Sequence, residues 1–344
     1  MMTQGLGRIR GANGLDESAP TPLISLRGLR TAVTTRGESF DVVQDLSLDI
    51  YPNEILCLVG ESGCGKSITA LSIMGLLPTP PVRVRTGEIL FKGEDLLKFK
   101  KRRMREIRSD SISMIFQDPL TSLDPVFTVG NLISEVIRAH REIDSRGARE
   151  MAGEVLTKVG LPDPIKRLDS YPHQLSGGMR QRVMIALALV LDPDILIADE
   201  PTTALDVTVQ AQILDQLIHE QRERHMSMLL ITHDLAVVAA VADRVAVMYA
   251  GEIVEQAPVD ELFEDPRHPY TQGLLRALPQ VSITRHRLEP IPGLVPPPQL
   301  MPPGCRFAPR CPHAIDRCWT EHPDLTGEDD GRIFRCFNPQ PFTS

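Results

Sequence analysis

Apolar residues along the chain fall into short uninterrupted runs separated by amphipathic stretches. Ile55–Val59 (ILCLV), Ser111–Phe116 (SISMIF), Ile195–Ala198, Met228–Ile231 and Arg244–Met248 have the length and branched content of buried strands. Lys66–Met74, Thr128–His140, Ala148–Val159, Gly177–Leu191 and Val207–Arg224 read as helices. Strands alternating with helices predict an α/β fold: a mostly parallel sheet with helices on both faces. Residues 1–22 are polar, Gly-rich and unpatterned, and are expected to form a disordered tail. Residues 23–279 form the expected main domain, with one short helix between the prolines of Asp265–Pro279. Residues 280–344 are rich in proline and cysteine. They predict a small extension of extended and turn-like backbone, because proline fixes φ and lacks a donor.

Composition narrows the picture. Hydrophobic residues make up 42% of the 344, enough for a substantial core. A net charge of −8 weighs against bulk electrostatic binding of nucleic acid. The longest apolar run is nine residues, Val183–Leu191, where a membrane-spanning helix needs about 20. No apolar stretch follows Arg8 and Arg10, so no secretory signal is expected. The expectation is a cytosolic chain whose membrane attachment comes from a partner. The basic run Lys98–Arg108 (KFKKRRMREIR) reads first as a solvated helix face.

Candidate chemistry begins at Gly60–Ser67, GESGCGKS. This pattern uses Gly60, Gly63 and Gly65 so that backbone N–H groups can turn inward around phosphate oxygens. Lys66 is placed to reach the β- and γ-phosphates and Ser67 to ligate magnesium. Ser62, Cys64 and Ile68 complete the loop and the first turn of a helix whose positive end faces the anion. Cys64, at a variable position, reads as a small filler, with a redox role as the alternative. Ile195–Glu200 (ILIADE) is a buried run that ends in two carboxylates, at the sheet edge where α/β proteins bind ligands. Asp199 suits the magnesium shell and Glu200 suits a general base toward water. Leu175–Arg182 (LSGGMRQR) adds a second anion cradle, from Ser176, Gly177 and Gly178 at a helix start.

Taken together these motifs resemble the nucleotide-binding subunit of an ABC (ATP-binding cassette) transporter. LSGGM matches the signature, with Met179 where Gln is commoner. Gln117 sits at the Q-loop position, His233 in ITHD at the switch histidine, and Ala204–Asp206 (ALD) at the D-loop. The resemblance implies a P-loop cassette with a RecA-like core, an antiparallel β subdomain and a helical subdomain. It further implies that two cassettes sandwich ATP and Mg2+, each site pairing one phosphate loop with the opposing signature. Within such a site Gln117 senses magnesium and His233 contacts the γ-phosphate. Phe40, an aromatic upstream of the loop, is a candidate for stacking on adenine, with plain strand packing as the alternative.

QDPLTSLDP (Gln117–Pro125), Tyr171–Leu189, RHPYTQGLL and PPGCRFAPRC resemble the oligopeptide/dipeptide importer branch of that superfamily. That branch implies a second and often non-identical ATPase subunit, two membrane permeases and an extracytoplasmic solute-binding protein. It also implies a peripheral position on the cytoplasmic face of the inner membrane. The rival reading is a soluble ABC ATPase clamping nucleic acid or the ribosome. A single cassette without long insertions weighs against it. Cys305, Cys311, Cys318 and Cys336 are spaced C-x5-C-x6-C-x17-C. Zinc, an iron–sulfur cluster and free or disulfide-forming thiols all stay open on spacing, although the lack of close C-x2–4-C pairs weighs against zinc. The resemblance implies a 4Fe–4S cluster on these four, since some members of the branch carry one.

Overall fold

A computed structural model describes residues 21–118, 122–202, 206–278, 290–328 and 331–342. The expected tail, apart from Thr21 and Pro22, lies outside the described residues. So do the boundary at Pro279 and Ala204 and Leu205 of the ALD segment. In chain order the strands are β1 (Ile24–Thr35), β2 (Glu38–Ile50), β3 (Ile55–Val59), β4 (Val82–Phe91), β5 (Glu94–Asp95) and β6 (Ile112–Ile115). They continue with β7 (Ile195–Asp199), β8 (Ser227–Ile231), β9 (Arg244–Tyr249), β10 (Glu252–Pro258), β11 (Thr326–Gly327) and β12 (Ile333–Phe334). The chain divides into two units, residues 1–95 with 232–344 and residues 96–231.

In the first unit β2, β1, β4 and β5 form an antiparallel sheet. Ile24 pairs with Ile50 and Leu26 with Leu48, and all four side chains are buried. A separate set begins with β3 parallel to β9, Val59 opposite Val247. Every residue of β3 is buried, which explains its uninterrupted apolar sequence. β9 then turns back into antiparallel β10 through Ala250 at φ 48° and Gly251 at φ 92°. Positive φ at both central residues suits a two-residue hairpin turn. β12 adds antiparallel to β10, Phe334 opposite Glu255, and β11 adds to β12. The C-terminal extension therefore continues the β9–β10 pairing of the first unit.

In the second unit β6, β7 and β8 run parallel, with Ile112 opposite Ile195 and Asp199 opposite Ile231. The helices Val129–His140 and Ser145–Lys158 pack together. The side chain of Thr128 caps the first and that of Asp144 caps the second. The second helix starts three residues earlier than its apolar periodicity predicts, because Asp144 accepts the Gly147 N–H at 2.8 Å. The basic run forms the helix Lys101–Ile107. Arg102 and Arg103 reach Glu106 on the exposed side, and Met104 and Ile107 are buried. Among the described residues no helix is long and apolar enough to cross a membrane.

Candidate nucleotide site

The phosphate loop leaves β3 and enters the helix Lys66–Met74. Glycine is required here by space as well as by φ. A Cβ on Gly60 would stand 2.1 Å from the Met248 carbonyl oxygen, and one on Gly65 would stand 2.8 Å from that of Val42. Gly63 at φ 79° and Gly65 at φ 111° adopt backbone that side-chain-bearing residues avoid. This cradle fits a phosphate group. Lys66 is 5% exposed, and its Nζ donates to the carbonyls of Gly60 at 2.7 Å and Glu61 at 3.0 Å. Cys64 is buried with Sγ 3.7 Å from Lys66 Nζ. Burial pushes its thiol pKa up, against the pull of Lys66. Ser62 and Gly63 are exposed, and Ser67 and Ile68 half-buried.

Glu61, the second residue of the loop, is fixed at every polar group. Its N–H donates to the Tyr270 hydroxyl at 2.9 Å, and its carbonyl accepts from Cys64 N–H at 3.3 Å as well as from Lys66. Its carboxylate takes two bonds from Arg310, at 2.6 and 2.9 Å. The Arg310 side chain is 4% exposed, and Glu61 raises its pKa further. The separation of 249 residues leaves no signal for this pair in the sequence.

Phe40 lies on β2 opposite Val33 and is half-buried. It lines an open cavity of about 220 Å³ with Asp41, Gln44 and Arg85, and with Met301 and Arg306 of the extension. His233 is exposed after β8. The next residue, Asp234, caps the helix Leu235–Val241 by accepting from Ala236 and Val237 N–H.

In the unit 96–231, Asp199 ends β7 and is 3% exposed. Glu200 follows at φ 46°, and its N–H donates to the Ile231 carbonyl at 2.9 Å. Gln117 Nε2 donates to Glu200 Oε2 at 2.9 Å, so two predicted residues 83 positions apart meet directly. Ser176 caps the helix Gly177–Leu189, its hydroxyl accepting the Met179 N–H at 3.3 Å. Ser176 and Gly177 are exposed and Gly178 partly so. A Cβ on Gly178 would stand 2.9 Å from Val209.

Two of the four tail cysteines are joined through their backbone. The Cys305 N–H donates to the Cys318 carbonyl at 2.7 Å. Burial raises the thiols of Cys305, Cys311 and Cys336, the last two to about 11 and about 12, and negative charge on the neighbouring cysteines adds to each. Yet among the described residues no group of three or more His, Cys, Asp or Glu is placed to hold a metal ion. The expected iron–sulfur cluster is therefore not supported by this geometry. The tail is anchored by one buried aromatic ring and by ion pairs. Phe307 is 2% exposed and packs edge-on to Tyr249 and Tyr270. Arg306 donates to Glu252 at 2.7 Å, and its guanidinium also reaches Gln44 and the Ala250 carbonyl.

A phosphate cradle with its lysine, a carboxylate pair at a parallel-strand end and a second helix-start cradle define a P-loop nucleotide-binding cassette. Residues 43–203 match the family "ABC transporter", and residues 254–318 match "Oligopeptide/dipeptide transporter, C-terminal region". The chain is 49% identical to the dipeptide transport ATP-binding protein DppD of Bacillus subtilis, over 92% of this chain and 94% of that protein. It is equally 49% identical to the oligopeptide transport ATP-binding protein AppD of the same organism, covering 92% and 96%. Escherichia coli DppD is 49% identical, covering 87% and 91%. Among solved structures, a dimeric MJ0796 bacterial ABC transporter cassette superposes with a TM-score of 0.61 at 28% identity, over 69% of this chain and 98% of that one. The chain belongs to the ATP-binding subunits of ABC transporters, in their oligopeptide/dipeptide branch.

Proposed function

We propose that this chain binds and hydrolyses ATP to drive import of di- or oligopeptides, or a related small solute, through a membrane complex. The observation that carries the reading is the joining, on one chain, of an intact ATP cassette to the C-terminal region of peptide transporters. Lys66 and the amides of Gly60–Ser67 hold the triphosphate, with Ile68 in the following turn. Ser67, Gln117 and Asp199 arrange Mg2+, Glu200 takes the proton of the attacking water, and His233 contacts the γ-phosphate. Phe40 stacks on adenine. Ser176, Gly177 and Gly178 face the ATP held by a second cassette, a pairing in line with the dimeric MJ0796 cassette. The partners are that second ATPase subunit, two permeases on whose cytoplasmic face the chain sits, and an extracytoplasmic solute-binding protein.

The test is co-purification from membranes followed by ATPase assays with solute-binding protein and a panel of peptides and metal chelates. Stimulation by peptides supports the reading. A chain that neither joins a membrane complex nor responds to any solute sinks it. A 4Fe–4S cluster on Cys305, Cys311, Cys318 and Cys336 is the finer proposal for the tail, carried by the number and spacing of the cysteines in the sequence and not by the geometry. It requires iron in an anaerobic preparation, and a colourless iron-free protein removes it.

A further inference from the structure

The phosphate loop carries an acid where a polyanion must bind. Glu61 is two residues from Gly63, and its charge opposes a triphosphate unless it is cancelled. Arg310 cancels it through a bidentate pair, the geometry in which guanidinium meets carboxylate most strongly. The arginine is itself held. Its Nε donates to the Pro292 carbonyl at 3.0 Å, and its guanidinium lies 5.7 Å from the Tyr249 ring centre. Its backbone belongs to the short turn Ala308–Arg310, between Cys305 and Cys311. That turn is pinned by Ala308 N–H on the Cys305 carbonyl and by Phe307 among Tyr249 and Tyr270. Tyr270 then holds the Glu61 N–H. The cysteine-flanked turn thus acts on the loop from two sides, on the charge of Glu61 and on its backbone.

We infer that Arg310 is a positioning residue for nucleotide binding: it neutralises Glu61 and holds the phosphate loop in its open cradle, making ATP affinity depend on the C-terminal turn. The inference rests on the ATP-binding reading above.

The test is equilibrium titration of the full chain with a fluorescent ATP analogue and Mg2+, alongside thermal unfolding. Wild-type binding tests the reading itself, and the ratios between variants test Arg310. Arg310→Gln should weaken binding about tenfold, the scale of one charge-assisted pair. Adding Glu61→Gln should restore affinity to within about twofold of wild type, because the charge that Arg310 answered is gone. A purely structural role for Arg310 would give a double variant as weak as Arg310→Gln, or weaker. That result, or unchanged affinity in Arg310→Gln, overturns the inference. Should Arg310→Gln fail to fold, Arg310→Lys is measured instead. Affinity below wild type that Glu61→Gln restores supports the inference, and affinity that is unchanged, or that Glu61→Gln does not restore, overturns it.

Discussion

Glu200 stands at φ 46°, a left-handed backbone that costs a non-glycine residue on the order of 1–3 kcal/mol. Such strain persists where the surroundings fix it. Here the Glu200 N–H is bound to Ile231 and its carboxylate to Gln117. Both constraints place the carboxylate at the end of β7 beside the residue proposed to sense magnesium. Glu200→Gln should preserve these contacts and ATP binding while lowering hydrolysis by at least about 100-fold, the usual contribution of a general base. Phosphate release from a complex with both ATPase subunits substituted measures this. Hydrolysis near the wild-type rate would remove Glu200 from the role. The place of this residue just past a buried strand was legible from ILIADE, but its contact with Gln117 was not, since 83 residues separate them.

Among the helices, the one spanning Pro269–Arg276 starts in an unusual way. Its cap is His268, fully buried, whose Nδ1 accepts the Tyr270 N–H at 3.0 Å. Only the neutral ring can accept that bond, and burial drives its pKa down from 6.5 to about 3, with Arg335 nearby. Glu255 faces the same turn and accepts from the backbone N–H of Arg267 and His268. Between pH 6.5 and 3 the unfolded chain binds one proton that the folded chain refuses. Stability from this group is therefore fully present above pH 6.5 and falls as pH drops, by up to about 1.4 kcal/mol per unit. His268→Asn keeps a capping acceptor without the titration. Urea unfolding at pH 5.0–7.5 should show a slope shallower by up to one proton, and equal slopes would contradict the assignment. Periodicity revealed the short helix between prolines, but a histidine cap gives no such pattern.

For the whole molecule, the extension is secured to the nucleotide-binding unit by a buried acid. Glu252 on β10 is 2% exposed and pairs with Arg306 at 2.7 Å and His322 at 2.9 Å, with Arg335 at 4.0 Å. Removing one member of such a group strands the buried cations. Glu252→Ala should cost about 3–5 kcal/mol and loosen the tail. Denaturant unfolding measures the loss, and faster thiol labelling of Cys305, Cys311 and Cys336 locates it. Unchanged stability and labelling would mean that β12 and Phe307 hold the extension without this acid. The docking also explains why a tail short of apolar residues folds here: strand addition and buried ion pairs stand in for a hydrophobic core of its own.

By itself the sequence determined the parallel strands, most helix limits and the phosphate and signature cradles, because each depends on local backbone geometry and fixed motif spacing. Ile55–Val59 and Lys66–Met74 fall where their patterns place them. Tertiary structure decided which distant residues meet: Gln117 with Glu200, Glu252 with Arg306, and Arg310 with Glu61. A charge on a loop reads the same whether it is solvated or paired, and only the folded backbone brings its partner within reach. The fold therefore turns GESGCGKS from a free-standing phosphate loop into one held by a turn near the end of the chain.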